Sequence, residues 1–395
     1  LGDVYKRQEL NLYILFSLYL INSAISYYLF AYKETLLLAD QRQDITNNIR
    51  SVVDTARYLA QFVALLIWRD FYVYVLIQVF GSVLSNFMIQ RSTEKRYPKV
   101  VCGKIKRLRL PAEVKQKTYA LMLGRVCDTL RNSLDSIILS SCIGLVATTI
   151  YGNYYFVYSA IYGVLLVIGN ALSGSVGNSI SCETPEKNYE DMRKFQFLFS
   201  WVTTTCTICL ATMYQPFMRL WAGKELMLSD KDMLLFCLYF YLINMNNIRN
   251  QYINGAGLWD KLKASYILEA GGNLVLNIVL GRAWGITGIL LATIITIFVF
   301  NYVYRTHVLF ANYFHGESEK RFSMDQFQYA LLAIVLVGSM FLFSKVIPGG
   351  ELVHLVVCVL LSAVVAGFAY FAFFHKTDRY AYAKSKIYQI VCRKM

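Results

Sequence analysis

Long runs of apolar residues follow one another along most of the chain, each about as long as a membrane-spanning helix. Such a helix needs about 20 predominantly apolar residues. Windows of that length predict about eleven spans, with limits near 10–32, 47–68, 71–91, 119–145, 152–176, 195–215, 232–252, 264–281, 285–308, 327–347 and 351–374. The runs are continuous and do not alternate in polarity, which favours helices over a membrane barrel. The pattern therefore predicts an all-α polytopic membrane protein.

Composition agrees with a membrane location. The chain is 56% hydrophobic and 16% charged, whereas soluble domains average about 45–50% and about 25%. The net charge of +14 is explained better by basic cytoplasmic loops than by nucleic acid, so we expect no nucleic-acid partner. The nine cysteines and four histidines form no ligand framework. We therefore expect neither a metal nor a cofactor.

Positive charges fall mainly in alternate loops. The densest basic run, 91–117, lies between the third and fourth predicted spans, and further basic residues follow the last span. Because positive residues concentrate on the cytoplasmic side, these loops and the C-terminus are expected in the cytoplasm.

Two parts of the chain share an order of features. "LYLINSAISYYLFAY" and "FYLINMNNIRNQYING" each precede a polar-tinged span, an outer arginine (Arg69 or Arg282) and another apolar span. Copies separated by an even number of spans have the same orientation, as in parallel repeats. Three spans precede the second copy and none precedes the first. We therefore expect that about three N-terminal helices are missing from this sequence, and that the intact protein has about fourteen.

This repeat predicts a domain organisation. The segment 1–91 would be the C-terminal half of a first lobe of about six helices, and 92–118 a basic cytoplasmic linker. The segment 119–308 would be a second lobe of about six helices, and 309–395 would add two helices and a basic tail.

Several strings resemble a known family. "LRNSLDSIILSSCIGLVATTIYGNYYFVYSAI", "ALSGSVGNSI", "PFMRLWAG", "YINGAGLWDKLK" and "NLVLNIVLGRAWGITGILLATIIT" resemble the bacterial polysaccharide flippases. These belong to the multidrug/oligosaccharidyl-lipid/polysaccharide exporter superfamily. The resemblance extends from about Tyr13 to Tyr313 and rests on pattern and order. It implies a MATE-like bundle of two lobes in the bacterial inner membrane.

The resemblance also implies a function in surface polysaccharide biosynthesis, for O-antigen, capsule or exopolysaccharide. An undecaprenyl-diphosphate-linked oligosaccharide would move from the cytoplasmic to the outer leaflet by alternating access, among membrane lipids. A polysaccharide polymerase and chain-length machinery are the partners it suggests. The main alternative is a MATE-type, cation-coupled exporter of small drugs. A membrane-embedded polymerase or ligase ranks third, because the outer loops are short and no catalytic motif is present, so we expect no enzyme.

The fourth predicted span carries four charged residues on one face. Arg125, Asp128, Arg131 and Asp135 are spaced by three, three and four residues, within about one third of the helix circumference. Arginine suits phosphate, so Arg125 and Arg131 are candidate contacts for a diphosphate. Asp128 and Asp135 are candidates for binding a coupling ion, with protons and sodium both open. The alternative is that Arg125 with Asp128 and Arg131 with Asp135 pair structurally.

A second polar set lies on the eighth span. Glu269, Asn273 and Asn277 share an arc of roughly 80° at i, i+4 and i+8. An isolated carboxylate in a membrane can carry a proton, so Glu269 is the leading candidate for ion coupling, and the two asparagines are candidate substrate contacts. Alternatively, Glu269 pairs with Arg249 or reaches the cytoplasmic surface.

The other repeat copy places Asp54 and Arg57 on one face of the second span. Asp54 is a further candidate for ion coupling, and Arg57 for substrate contact, if both copies line a shared cavity. The alternative is an interfacial i, i+3 ion pair.

Overall fold

The computed structural model describes residues 11–29, 31–40, 42–68, 70–100, 111–347 and 351–392. These residues form helices joined mostly by short turns, and no strand occurs among them. The prediction of an all-α protein is therefore confirmed. The chain divides into two compact units, Leu1–Leu108 and Arg109–Met395.

The described part of the first unit has four helices, in which α4 is central. They are α1 (Leu12–Tyr28), α2 (Ala31–Ala39), α3 (Gln43–Ile67) and α4 (Phe71–Arg96). The first three all pack on α4. Asp70 caps α4, because its carboxylate accepts a hydrogen bond from the backbone N–H of Tyr72 at 2.7 Å, which satisfies one otherwise unpaired helix donor. The predicted outer arginine Arg69 lies outside the described residues.

The second unit contains the remaining helices. They are α5 (Ala112–Ile138), α6 (Leu145–Ala171), α7 (Ser173–Cys182), α8 (Pro185–Trp221), α9 (Asp230–Met245), α10 (Asn247–Gly255), α11 (Lys263–Trp284), α12 (Ile286–Thr296), α13 (Arg305–Asn312), α14 (Glu319–Ser344), α15 (Glu351–Phe374) and α16 (Asp378–Cys392). Two π-helical segments, Leu139–Ile143 and Ile297–Tyr304, follow α5 and α12.

Two groups of helices build the second unit. The long helix α8 packs against α9, α14, α15 and α16, while α11 packs against α5 and α12. Pro185 begins α8, and Thr184 caps it by accepting from the N–H of Lys187. Proline suits this position, since the first helical N–H has no partner in the helix. The α5–α11–α12 group carries most of the polar residues discussed below.

Seven helical stretches among the described residues are long and apolar enough to cross a membrane, counting α6 with α7 as one stretch and α12 to α13 as another. This establishes a multi-pass helical membrane protein, while the number of crossings stays a prediction. The helix α5 is less apolar because it carries the four charged residues of the predicted stripe. The structure also breaks three predicted spans: 10–32 after Tyr28, 152–176 near Leu172, and 232–252 at Asn246. The orientation of the C-terminus and the division into lobes remain predictions.

Candidate functional site

A carboxylate and two arginines from three helices meet inside the second unit. Glu269 lies on α11, Arg131 on α5 and Arg305 at the start of α13. One oxygen of Glu269 accepts a hydrogen bond from Nη1 of Arg131. The other accepts from Nη2 of Arg305 at 2.5 Å. All three side chains are at most 8% exposed, so a single buried carboxylate holds two buried guanidinium groups.

Neutral polar groups and a ring complete this arrangement. Nδ2 of Asn301 lies 3.5 and 3.4 Å from the two oxygens of Glu269. One turn before Glu269, the hydroxyl of Ser265 accepts from Nε of Arg305 at 3.0 Å. The guanidinium carbon of Arg305 lies 4.6 Å from the ring centroid of Tyr266, a cation–π geometry. Arg305 is therefore held from three directions.

A third arginine, Arg249 on α10, is buried beside this pair. It donates to Asn301 Oδ1 at 2.8 Å, to the carbonyl of Tyr302 at 3.0 Å and to the hydroxyl of Thr306 at 3.1 Å. These acceptors are neutral, so its charge is not matched by a carboxylate. Arginine stays protonated in proteins. The buried arginine cluster, defined as Arg131, Arg249, Arg305 and Glu269, thus carries excess positive charge.

A second buried carboxylate has different surroundings. Asp135, on α5, is 4% exposed. It accepts hydrogen bonds from Nδ2 of Asn277 at 2.7 Å, from the hydroxyl of Tyr151 at 3.0 Å and from Thr293 at 3.3 Å. No ion pair joins it to a residue in the described part of the chain. Its negative charge is therefore held by neutral donors alone.

Asn273 extends this second network. Its Oδ1 accepts from Nδ2 of Asn277 at 3.0 Å, and its Nδ2 donates to Thr293 at 3.2 Å and reaches Thr296 at 3.5 Å. Asn273 and Asn277 are fully buried. The polar face of α11 thus meets α12 through side-chain amides and hydroxyls, which are common links between membrane helices.

A cavity of about 240 Å³ lies beside the buried arginine cluster. Its lining comes from α5, α6, α9, α10, α11, α13 and the turn at Leu258–Leu262. Its polar and aromatic lining residues are Arg125, Asp128, Tyr162, Asn170, Asn247, Asn250, Gln251, Asn254, Trp259, Tyr266 and Arg305. Arg305 belongs to both the lining and the cluster, so it connects the two.

Several groups in this lining have no partner among the described residues. The side chains of Arg125 and Asp128 form neither a hydrogen bond nor an ion pair there. Nη1 of Arg305 also has no hydrogen-bond partner in the described chain, because the bonds of this residue are made by Nε and Nη2. Nδ2 of Asn247 is buried and unpaired, on a side chain only 6% exposed. The cavity therefore presents unused donors, two of them on cations.

Asn247 depends on a glycine opposite it. A Cβ at Gly169 on α6 would lie 2.3 Å from Oδ1 of Asn247. The absence of a side chain at this position therefore makes room for the amide in the cavity wall.

A row of tyrosines on α6 connects the cavity with the second network, which contains Asp135. Tyr151, which donates to Asp135, is followed by Tyr155, Tyr158 and Tyr162 on the same face. Successive ring centroids are 6.1, 5.3 and 5.8 Å apart. From Tyr151 to Tyr162 the helix rises by about 17 Å. Aromatic and polar groups thus continue along the helix from one site to the other.

The sequence-predicted residues fall into separate groups. Arg125 and Asp128 line the cavity, and Arg131 and Glu269 belong to the cluster. The remaining predicted residues of the second unit, Asp135, Asn273 and Asn277, form the second network. In the first unit, Asp54 and Arg57 form an i, i+3 ion pair at 3.1 Å, as the structural alternative predicted. Their functional roles stay predictions.

The local pairings predicted as structural alternatives along α5 do not form. Arg125 does not pair with Asp128, and Arg131 pairs with Glu269 on α11 rather than with Asp135 one turn away. The physical reason is that Glu269 lies across the helix interface and accepts Arg131 end-on. The charged stripe therefore joins two helices.

The premise that Glu269 is isolated is wrong. It forms two ion pairs, with Arg131 and Arg305. The alternative pairing of Glu269 with Arg249 is also absent, because Arg249 is bound by neutral acceptors. A role for Glu269 in carrying an ion stays a prediction with a weaker physical basis.

Sequence reasoning missed Arg305 and Asn301 as site residues. Arg305 was not singled out, since it lies near the end of the predicted span 285–308. The sequence does carry a signal for both residues. Ser265 and Glu269 are four residues apart on one predicted span, and Asn301 and Arg305 are four residues apart on the next. Polar residues with this spacing on consecutive spans predict facing polar stripes.

Comparison with known proteins identifies the fold. No family model matches the chain, and no curated protein matches it. Among solved structures, the chain is similar to the lipid II flippase MurJ in its inward closed conformation, with a TM-score of 0.60 and 14% sequence identity. The similarity covers 90% of this chain and 74% of that chain. The chain therefore shares the all-helical fold of that structure.

Proposed function

We propose that this protein is a flippase that moves a lipid-linked oligosaccharide across the bacterial inner membrane. The cargo would be an undecaprenyl-diphosphate-linked repeat unit, carried from the cytoplasmic to the outer leaflet for surface polysaccharide biosynthesis. The observation that carries the proposal is the cavity in the second unit, where Arg125 and one edge of Arg305 present unused cationic donors. The similarity to a lipid II flippase supports the same class of cargo.

The cavity lining matches the chemistry of such a headgroup. A diphosphate is anionic and accepts several hydrogen bonds, which arginine donates in a planar fork. Sugars present hydroxyls and apolar faces, which suit the amides of Asn247 and Asn254 and the rings of Tyr162 and Trp259. The cavity is smaller than the roughly 300–1,000 Å³ of drug-sized pockets. It would therefore hold the diphosphate and an adjoining sugar rather than a whole repeat unit.

Charge disfavours a drug exporter. A cavity for cationic drugs would present carboxylates in excess. Here Asp128 is the one carboxylate in the described lining, against Arg125 and Arg305. The nearby cluster adds further positive charge from Arg131 and Arg249. An anionic cargo would neutralise this excess.

The proposed transport step involves no covalent chemistry. The fold would alternate between access to the two leaflets, with the C-terminus in the cytoplasm, and it would deliver cargo to a polysaccharide polymerase and chain-length machinery. Coupling to protons or sodium would be assigned to a buried carboxylate.

Arg125→Ala tests the proposal directly. We expect at least about tenfold slower flipping of an undecaprenyl-diphosphate-linked glycan by the purified protein in liposomes, because a hydrogen bond to a charged group contributes about 1.5–3 kcal/mol. The matched control is Arg282→Ala, since Arg282 is exposed in the last turn of α11 and away from the cavity lining. Equal flipping by wild-type protein and both variants would overturn the proposed role of the cavity.

A further inference from the structure

We propose that the buried arginine cluster contains a second anion site, which Glu269 occupies when cargo is absent. The inference rests on the proposed function and adds the next binding position for the same diphosphate. On entering the cavity, the diphosphate would replace Glu269 as the partner of Arg305 and then of Arg131.

Arg305 belongs both to the cluster and to the cavity lining. Its Nη2 donates to Glu269 and its Nε donates to Ser265. An anion that binds Nη1 from the cavity therefore lies against the same guanidinium that Glu269 holds. The two anions would compete for one cation.

Glu269 uses a different oxygen for each of its two arginine partners. One oxygen pairs with Arg131 and the other with Arg305. A diphosphate has two phosphoryl groups, and each can accept from an arginine fork as a carboxylate oxygen does. One diphosphate can therefore replace both contacts that Glu269 makes.

The two arginines that Glu269 holds need an anion at all times. Two buried guanidinium groups without an anion are strongly unfavourable, since a buried charge needs a partner. Glu269 supplies that partner when the site holds no cargo, and the incoming anion supplies it afterwards. Exchange between them therefore avoids leaving two unpaired charges in the interior.

The cluster contains hydrogen-bond donors that Glu269 does not use. Nε of Arg131 is buried and has no partner among the described residues. Nδ2 of Asn301 faces both Glu269 oxygens at 3.4–3.5 Å, so the amide can keep contact with the displaced carboxylate. The cluster thus has an unused donor for an incoming anion, and Asn301 remains a polar partner for Glu269.

Glu269→Gln provides the decisive test. Methylenediphosphonate, a soluble diphosphate analogue, would be titrated calorimetrically into the full-length purified protein. Removing the competing carboxylate should tighten binding by about tenfold or more, equivalent to at least about 1.4 kcal/mol. The same variant should flip lipid-linked glycan more slowly, because Glu269 no longer displaces the cargo.

A matched control separates competition from general charge. Asp325 on α14 also bridges two arginines, Arg193 and Arg379, each at 2.8 Å, and it is not among the cavity lining. Asp325→Asn removes the same charge from a similar cluster and should leave the affinity unchanged. Equal tightening in both variants would overturn the inference, and so would unchanged or weaker binding in Glu269→Gln.

A measurement on the wild-type protein covers the case in which Glu269→Gln does not fold. Dicyclohexylcarbodiimide would be used to label carboxyl groups, with the labelled peptides quantified by mass spectrometry. Saturating diphosphonate should increase labelling at Glu269 and leave Asp325 unaltered, because only Glu269 loses its arginine partners. Unchanged or reduced labelling of Glu269 would contradict the exchange.

The two proposals fail in different ways. If wild-type protein binds diphosphonate and Arg125→Ala weakens that binding, the cavity stands as a diphosphate site whatever happens at Glu269. If wild-type binding is absent or insensitive to Arg125, the proposed function loses its main support and the exchange fails with it.

Discussion

Asp135 and Glu269 are both buried carboxylates, but their partners give them different chemistry. Glu269 forms ion pairs with two arginines, one through each oxygen, so neither oxygen is left for a coupling ion. Asp135 contacts an amide and two hydroxyls, so no ion pair within the described chain competes with a coupling ion for its oxygens. We therefore predict that ion coupling depends on Asp135 rather than on Glu269.

Asp135→Asn tests this assignment at the residue scale. The amide is close in size to the carboxylate, but it cannot carry a proton or neutralise sodium. We expect flipping in liposomes to lose its response to an imposed proton or sodium gradient while the protein stays folded. Asp325→Asn should keep the wild-type response. A gradient response that survives in Asp135→Asn would remove Asp135 from the coupling role.

At the scale of elements, the turn between α11 and α12 holds the polar faces of these helices together. A Cβ at Gly288 would lie 1.9 Å from the backbone carbonyl oxygen of Leu280. The two backbones are so close at Gly288 that a side chain there would require the backbone to move. The close packing of α11 and α12 places Asn273 within reach of Thr293 and Thr296, so the second network depends on it.

Gly288→Ala should therefore destabilise the fold. Overpacking costs about 1–3 kcal/mol and occasionally more, and a clash with rigid backbone belongs at the upper end. We expect a clearly lower unfolding temperature in detergent. Gly271→Ala on α11 is the matched control, because an added Cβ there meets nothing within 4 Å. Equal unfolding temperatures for the two variants would contradict the tight approach.

The sequence was informative about helices and less so about their ends. Apolar runs of membrane length predict where helices lie, since burial in lipid requires them. The breaks at Leu172 and Asn246 and the π segment at Ile297–Tyr304 have no strong local signal. Arg305 was missed for this reason, because the π segment joins directly to the residue that turns toward Glu269.

At the scale of the whole molecule, the charged residues were found but their partners were not. The spacing of Arg125, Asp128, Arg131 and Asp135 correctly placed them on α5. Arg131 could pair with Asp135 on its own helix or with Glu269 on α11. The packing of α5 against α11 decides between them, and the periodicity of a single helix does not reveal that packing. A three-dimensional contact between residues 138 positions apart is set by the packing of the unit.

A gene deletion tests which cargo the whole protein moves in the cell. If the protein moves lipid-linked oligosaccharide, deleting its gene in a strain without a redundant flippase should trap undecaprenyl-diphosphate-linked repeat units on the cytoplasmic leaflet. Surface polysaccharide should then fall, and the wild-type gene should restore it better than a gene carrying Arg125→Ala, because that arginine faces the cavity. If the protein instead exports drugs, the deletion strain should have normal surface polysaccharide and increased sensitivity to cationic drugs. The excess of buried arginine over carboxylate near the cavity favours the first outcome, since the arginines would repel a cationic cargo and attract a diphosphate.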